Sequence, residues 1–155
     1  VSTTPGDNPD GIPSGDAVHG GPWYRDGLNF ECTGCGNCCT GSPGHVWVEE
    51  DEIQTIADFL DKPIGEIRLM NTRPARGRVS LTEYANGDCV YFDPQKRECT
   101  IYTARPRQCR TWPFWKSNLT SEADWKSIQP GCPGAGNGNF VPLEEIQMLA
   151  AQVDV

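Results

Sequence analysis

The chain has 155 residues, enough to bury a core within one domain, and its 13 Lys and Arg against 21 Asp and Glu give a formal charge of −8. That balance, with no basic stripe, argues against nucleic acid or an anionic membrane as the main partner. No apolar run approaches a membrane span, and VSTTPGDNPDGIPSGD at the start has neither a basic opening nor a hydrophobic stretch, so no signal peptide is expected and a reducing, cytoplasmic setting is.

Residues 1–22 carry Gly, Pro, Asp and Ser with few apolar side chains, the composition of a flexible or extended arm. One folded domain is expected over 23–155, beginning near Trp23 or Tyr24. HVWV at 45–48 reads as a short strand, and Glu49, Glu50, Asp51 and Glu52 read as the exposed start of a helix, where negative charge suits the dipole. Ile53, Ile56, Ala57 and Leu60 then share one helical face. Pro63 suits a first helical turn, and Ile64, Ile67 and Met70 predict a second short helix.

RVSLTEY at 78–84 alternates, with Val79 and Leu81 on one side, and Asn86-Gly87 is a hairpin signal leading into CVYFD at 89–93. With CTIY at 99–102 this predicts a three-stranded antiparallel meander. TARPRQCRTWPFW predicts a short helix with Pro106 near its first turn, ending before Pro113. Ser121 and Asp124 form a capping box for a helix near 122–128; GCPGAGNGN reads as loop. Leu143, Ile146, Leu149, Ala150 and Val153 place a closing helix on a core. The fold class is α+β: a small metal-centred domain with a short antiparallel meander and several helices.

Eight cysteines are about two to three times the usual number for this length. Disulfides could pair all of them, but four thiols within CTGCGNCC (32–39) would each need a distant partner or a strained short loop. A metal makes the opposite demand, several thiolates converging from a short turning backbone, and Gly34 and Gly36 permit it. Cys32, Cys35 and Cys38 have the spacing of the first three ligands of a bacterial ferredoxin run, whose fourth cysteine precedes a proline; the Cys-Pro here is Cys132-Pro133.

Consecutive side chains rarely point the same way, so Cys39 is assigned to a different centre from Cys38, or to a different part of one cluster. The partition expected is Cys32, Cys35, Cys38 and Cys132 at one site, with Cys39, Cys89, Cys99 and Cys109 at another; other divisions, or one cluster of all eight, stay open. Zinc and iron-sulfur clusters accept the same four thiolates and leave the same excess negative charge. Arg105, Arg107 and Arg110 beside Cys109, and Lys96 and Arg97 before Cys99, are the cations available to offset it.

FECTGCGNCCTG at 30–41, GDCVYFD at 87–93, CTIYTARPRQCRTWPF at 99–114 and GCPGAGNG at 131–138 together resemble the CxxCxxCC, or YkgJ-type, cysteine-cluster family. Its members are described as zinc- or iron-chelating or as iron-sulfur proteins. The resemblance implies that Cys32, Cys35, Cys38, Cys39, Cys89, Cys99, Cys109 and Cys132 all serve the metal. The same block occurs in flagellin lysine-N-methylases, but no GxGxxG loop is present and methylation is not expected. Trp112, Phe114 and Trp115 read first as core and second as a water-excluding shell. His19 and His45 are set aside as lone histidines, and no Ser-His-Asp set, Walker loop or HExxH motif nominates a substrate.

The functional expectation is an iron-sulfur protein that carries electrons or senses redox state, with a protein redox partner. The rivals are a zinc-bound structural or interaction module, a metal storage or delivery protein, and an enzyme with an unrecognised small-molecule site.

Overall fold

The acidic run at 49–52 closes on itself to start the first helix. Glu49 caps α1 (Glu50–Leu60): its side chain accepts the Glu52 N–H, and the Glu52 carboxylate accepts the Glu49 N–H at 2.9 Å. Ile53, Ile56 and Ala57 are buried, as their spacing requires. Glu52 is buried too, against the expectation of a solvated face, because it is also the anchor of a distant segment described below. Asp61, at φ 55, ends α1, and Pro63 caps α2 (Ile64–Asn71). Ile67 is fully buried, whereas Met70 is exposed, since no described element covers the last turn of α2.

The computed structural model describes residues 21–41 and 44–155. The arm expected at 1–22 therefore lies, apart from Gly21 and Pro22, outside the described residues. The strands form antiparallel pairs: β1 (Leu28–Phe30) with β6 (Ala135–Val141), β2 (Thr72–Ala75) with β3 (Arg78–Leu81), and β4 (Phe92–Asp93) with β5 (Glu98–Cys99). The α+β class holds, but the continuous meander over 78–102 does not. β3 pairs backwards with β2, and the Asn86-Gly87 turn links 83 to 89 through a single Glu83–Cys89 bridge. The physical reason is a turn: the Phe92 N–H donates to the Cys89 carbonyl at 2.9 Å and bends the chain away from β3 just past the bridge, while the Cys89 N–H, on the outer side of the pair, donates to the Cys39 carbonyl at 2.8 Å. HVWV lies along β3, with the Val48 N–H on the Val79 carbonyl and the Leu81 N–H on Val46, but only Trp47 forms a bridge, to Ser80. Ser80 and Leu81, not Val79, face inward.

Two apolar cores result. Ile53, Ile56, Ile67, Leu81, Tyr91 and Ile101 build the first, and Cys89 and Cys99 pack against it. Phe114, Leu119, Trp125, Val141 and Ile146 build the second, with Cys132 buried within it. Helices α4 (Lys116–Leu119), α5 (Glu122–Ile128) and α6 (Leu143–Ala150) surround the second core. Ser121 caps α5 by accepting the Asp124 N–H at 3.1 Å. The loop expected at GCPGAGNGN contains the start of β6, and α6 stops at Ala150, short of Val153.

In the chain segment between Ala104 of the first core and Phe114 of the second lies α3 (Arg107–Thr111), entered through Pro106 and ended before Pro113 as predicted. The Glu52 carboxylate accepts the Arg107 N–H at 2.6 Å and meets its guanidinium at 3.1 Å. Gln108, also buried, accepts the Trp47 N–H at 2.8 Å and donates to the His45 carbonyl at 2.9 Å. Its own carbonyl accepts the Trp115 indole N–H at 2.8 Å. These bonds hold the helix that carries Cys109. Glu52→Ala strips a capping box and leaves a buried backbone donor unpaired, so urea denaturation should show a loss of about 2–4 kcal/mol; a loss within error of zero would contradict this role.

Candidate metal centre

The cysteine loop is seated by backbone contacts on two sides. Gly36, at φ +75, approaches the β4–β5 turn so closely that a Cβ would lie 2.4 Å from the Arg97 carbonyl oxygen. Arg97 answers by donating to the Cys35 carbonyl at 3.1 Å and the Asn37 side-chain oxygen at 2.7 Å. On the other side a Cβ at Gly134 would lie 1.9 Å from the Glu31 carbonyl oxygen, and the Asn37 side chain donates to the Gly131 carbonyl at 3.1 Å. The chain around Cys132 thus rests on the chain that enters Cys32. A third tie is the buried Asp88, which accepts the Thr40 hydroxyl just beyond Cys39.

All eight cysteines are free thiols. Asn37–Cys39 forms one 3-10 turn, and this turn sets Cys38 and Cys39 side by side. The Cys39 thiol hydrogen-bonds to the sulfurs of Cys38 and Cys99. That donation lowers Cys38 to about 6 and Cys99 to about 7, and raises Cys39 correspondingly. Burial raises Cys89 to about 11 and also raises Cys109. Both interact electrostatically with Cys38 and Cys99, and the Arg105 guanidinium helps hold Cys38 and Cys99 in the thiolate form.

Five sulfurs, Cys38, Cys39, Cys89, Cys99 and Cys109, therefore form one group, and Cys38 belongs with Cys39. From the sequence, Cys38 and Cys39 are expected at different centres or at different parts of one cluster; the thiol hydrogen bond of the structure joins the two. A 3-10 turn, unlike a strand, lets neighbouring side chains converge. Cys32 and Cys35 stand in the loop ahead of the 3-10 turn. Cys132 is buried, with its sulfur accepting the Trp112 indole N–H at 3.3 Å.

A further regularity was not read from the sequence: amides two residues downstream point at the sulfurs. Gly34 N–H donates to Cys32 Sγ at 3.4 Å and Asn37 N–H to Cys35 Sγ at 3.5 Å, while the amides of Tyr91 and Ile101 serve Cys89 and Cys99. Such amides favour thiolate over thiol and suit a metal-bound sulfur. The signal in the sequence is Gly34 and Asn37 two residues after Cys32 and Cys35; Tyr91 and Ile101 after Cys89 and Cys99 give no such signal, and the direction of all four amides depends on the folded turn.

A cleft of about 560 Å³ adjoins the group, walled by Cys38, Cys39, Cys89 and Cys109 on one part and by Trp112 and Trp115 on another. Phe114, by contrast, is core, packed edge-on to Phe30 and stacked on Trp125. His45 lines the cleft with its ring stacked on Trp47, and His19 lies outside the described residues. Of the proposed counter-charges, Arg107 is committed to Glu49, Asp51 and Glu52. Arg105 and Arg97 are the two that serve the cysteine segments.

The thiols meet through hydrogen bonds and not around one point: among the described residues no three His, Cys, Asp or Glu side chains are set at metal-ligand spacing. The donor set nevertheless fits a thiophilic metal. It offers soft sulfur ligands, downstream amides aimed at them and a guanidinium to balance their charge.

Residues 31–133, a span that includes all eight cysteines, match the family CxxCxxCC, described as a "putative zinc- or iron-chelating domain". The chain belongs to the CxxCxxCC family. An uncharacterized protein of Methanocaldococcus jannaschii is 29% identical over 91 residues, covering 59% of this chain and 48% of that protein, so the chain spans about half the length of this curated relative. No solved structure matches. No helix among the described residues is long and apolar enough to cross a membrane. Within the CxxCxxCC domain, grouping of the vicinal pair has a direct consequence: Cys38→Ser and Cys39→Ser should deplete the same metal when metals per chain are counted, and loss of different metals would restore the divided arrangement.

Proposed function

We propose that this chelating domain holds an iron-sulfur centre on Cys38, Cys39, Cys89, Cys99 and Cys109, with Cys32, Cys35 and Cys132 as ligands of a neighbouring position, and serves electron transfer or redox sensing. The observation that supports it is the gathering of five thiols from the cysteine loop, the Asp88–Cys89 turn, the β4–β5 hairpin and α3. A single zinc site or a single iron-sulfur cluster takes four thiolates, so a fifth in the group favours more than one metal position. When bound, such a centre supplies one-electron chemistry.

The protein's own part is to supply ligands, charge and a dry wall. Cys38 and Cys99 stand ready as thiolates near neutral pH, whereas Cys39, Cys89 and Cys109 must release protons on binding. Arg105 offsets the resulting negative charge. Trp112 and Trp115 line the cleft, and apolar walls beside a bound centre favour a lower reduction potential.

Anaerobically prepared protein from iron-replete cells should be brown and contain iron with acid-labile sulfide. A colourless protein holding only zinc under those conditions would reject the iron-sulfur assignment in favour of a structural zinc module. Metal is also expected to tie the segments together. Complete chelation should therefore reduce amide exchange protection in 32–40, 88–101 and α3; unchanged protection there would sink the structural role of the metal.

A further inference from the structure

Tyr91 lies between two cysteines of the five-thiol group. Its N–H donates to Cys89 Sγ, and its carbonyl accepts both the N–H and the hydroxyl of Thr100, the residue after Cys99, at 2.8 and 2.9 Å. The residue is 7% exposed within the first core, where Cys89 and Cys99 also pack. Its hydroxyl, however, has no hydrogen-bond partner, and it is the buried side-chain polar atom so placed among the described residues. Burying a hydroxyl without a partner is costly, and a fold keeps such a group when something else completes it. An ordinary core position here would take phenylalanine at no loss of packing. The hydroxyl interacts electrostatically with the sulfurs of Cys89 and Cys99, and burial keeps its proton in place.

We propose that the Tyr91 hydroxyl is a positioning donor for the metal centre: once metal draws the sulfurs together, it hydrogen-bonds to the thiolate of Cys89 or Cys99, or to a sulfide of the cluster. This inference rests on the reading of the five thiols as ligands. A neutral donor aimed at ligand sulfur withdraws electron density, so it strengthens metal retention and raises the reduction potential. It therefore opposes the effect of the tryptophan wall, and the two together set the potential. The orphaned hydroxyl is a cost in the metal-free protein and a contact in the loaded one.

Tyr91→Phe separates those two states. In metal-free protein the variant should be as stable as the wild type or more so, because an unpaired buried group has been removed. Zinc affinity, measured by competition with a chromophoric chelator, should fall about ten- to hundredfold. The iron-loaded variant should show a lower reduction potential. Unchanged zinc affinity in the folded variant overturns the donor role while leaving the ligand assignment intact. A wild-type chain that takes up neither zinc nor iron removes both together. An independent check uses a chain whose other three tyrosines, Tyr24, Tyr84 and Tyr102, are phenylalanine. Zinc loading should then move the remaining tyrosine absorption to longer wavelength; no movement overturns the proposal.

Discussion

Thiols brought close together in a protein interior must share protons or receive positive charge, and much of this structure is arranged around that constraint. Each thiolate carries a full charge, and several in a poorly hydrated space repel one another. The Cys39 proton is shared with Cys38 and Cys99, Arg105 faces the same group, and amides from Tyr91 and Ile101 point at sulfur. A cation bound among them would resolve the same repulsion more completely.

The scaffold that enforces this crowding is polar as much as apolar. The first core supports Cys89 and Cys99, and the second encloses Cys132, but neither core alone brings the cysteine loop to them. That is the work of backbone approaches at Gly36 and Gly134 and of the bond from Cys89 to Cys39. Glu52 and Gln108 do the same for α3, each satisfying several buried donors or acceptors at once. Buried polar groups with several partners define one arrangement sharply, because any shift leaves more than one group unpaired.

Much of this was legible in one dimension, and the misses share a cause. The helices at 50–60, 107–111 and 122–128 follow from apolar period, proline placement and a serine cap, all of which act within a turn or two of chain. The meander was misread because each strand looked complete by itself, while β3 is paired with Thr72–Ala75 and a turn from Cys89 to Phe92 breaks the run. β1 and β6 escaped notice because their pairing joins residues more than a hundred positions apart, and glycines in β6 disguise a strand as loop. Glu52 was taken for a surface charge because its burial depends on a backbone N–H contributed by Arg107.

The sequence by itself determined the chemistry: eight thiols in four blocks, their membership of a chelating family and the α+β alternation around them. Ligand type follows from side-chain composition, which needs no fold to be read. Only the tertiary structure decided how those thiols are grouped. A 3-10 turn placed Cys38 beside Cys39, a tryptophan indole claimed Cys132, and the burial of Tyr91 left its hydroxyl without a hydrogen-bond partner. Those outcomes depend on side-chain direction and on contacts between distant segments, and spacing along a chain specifies neither.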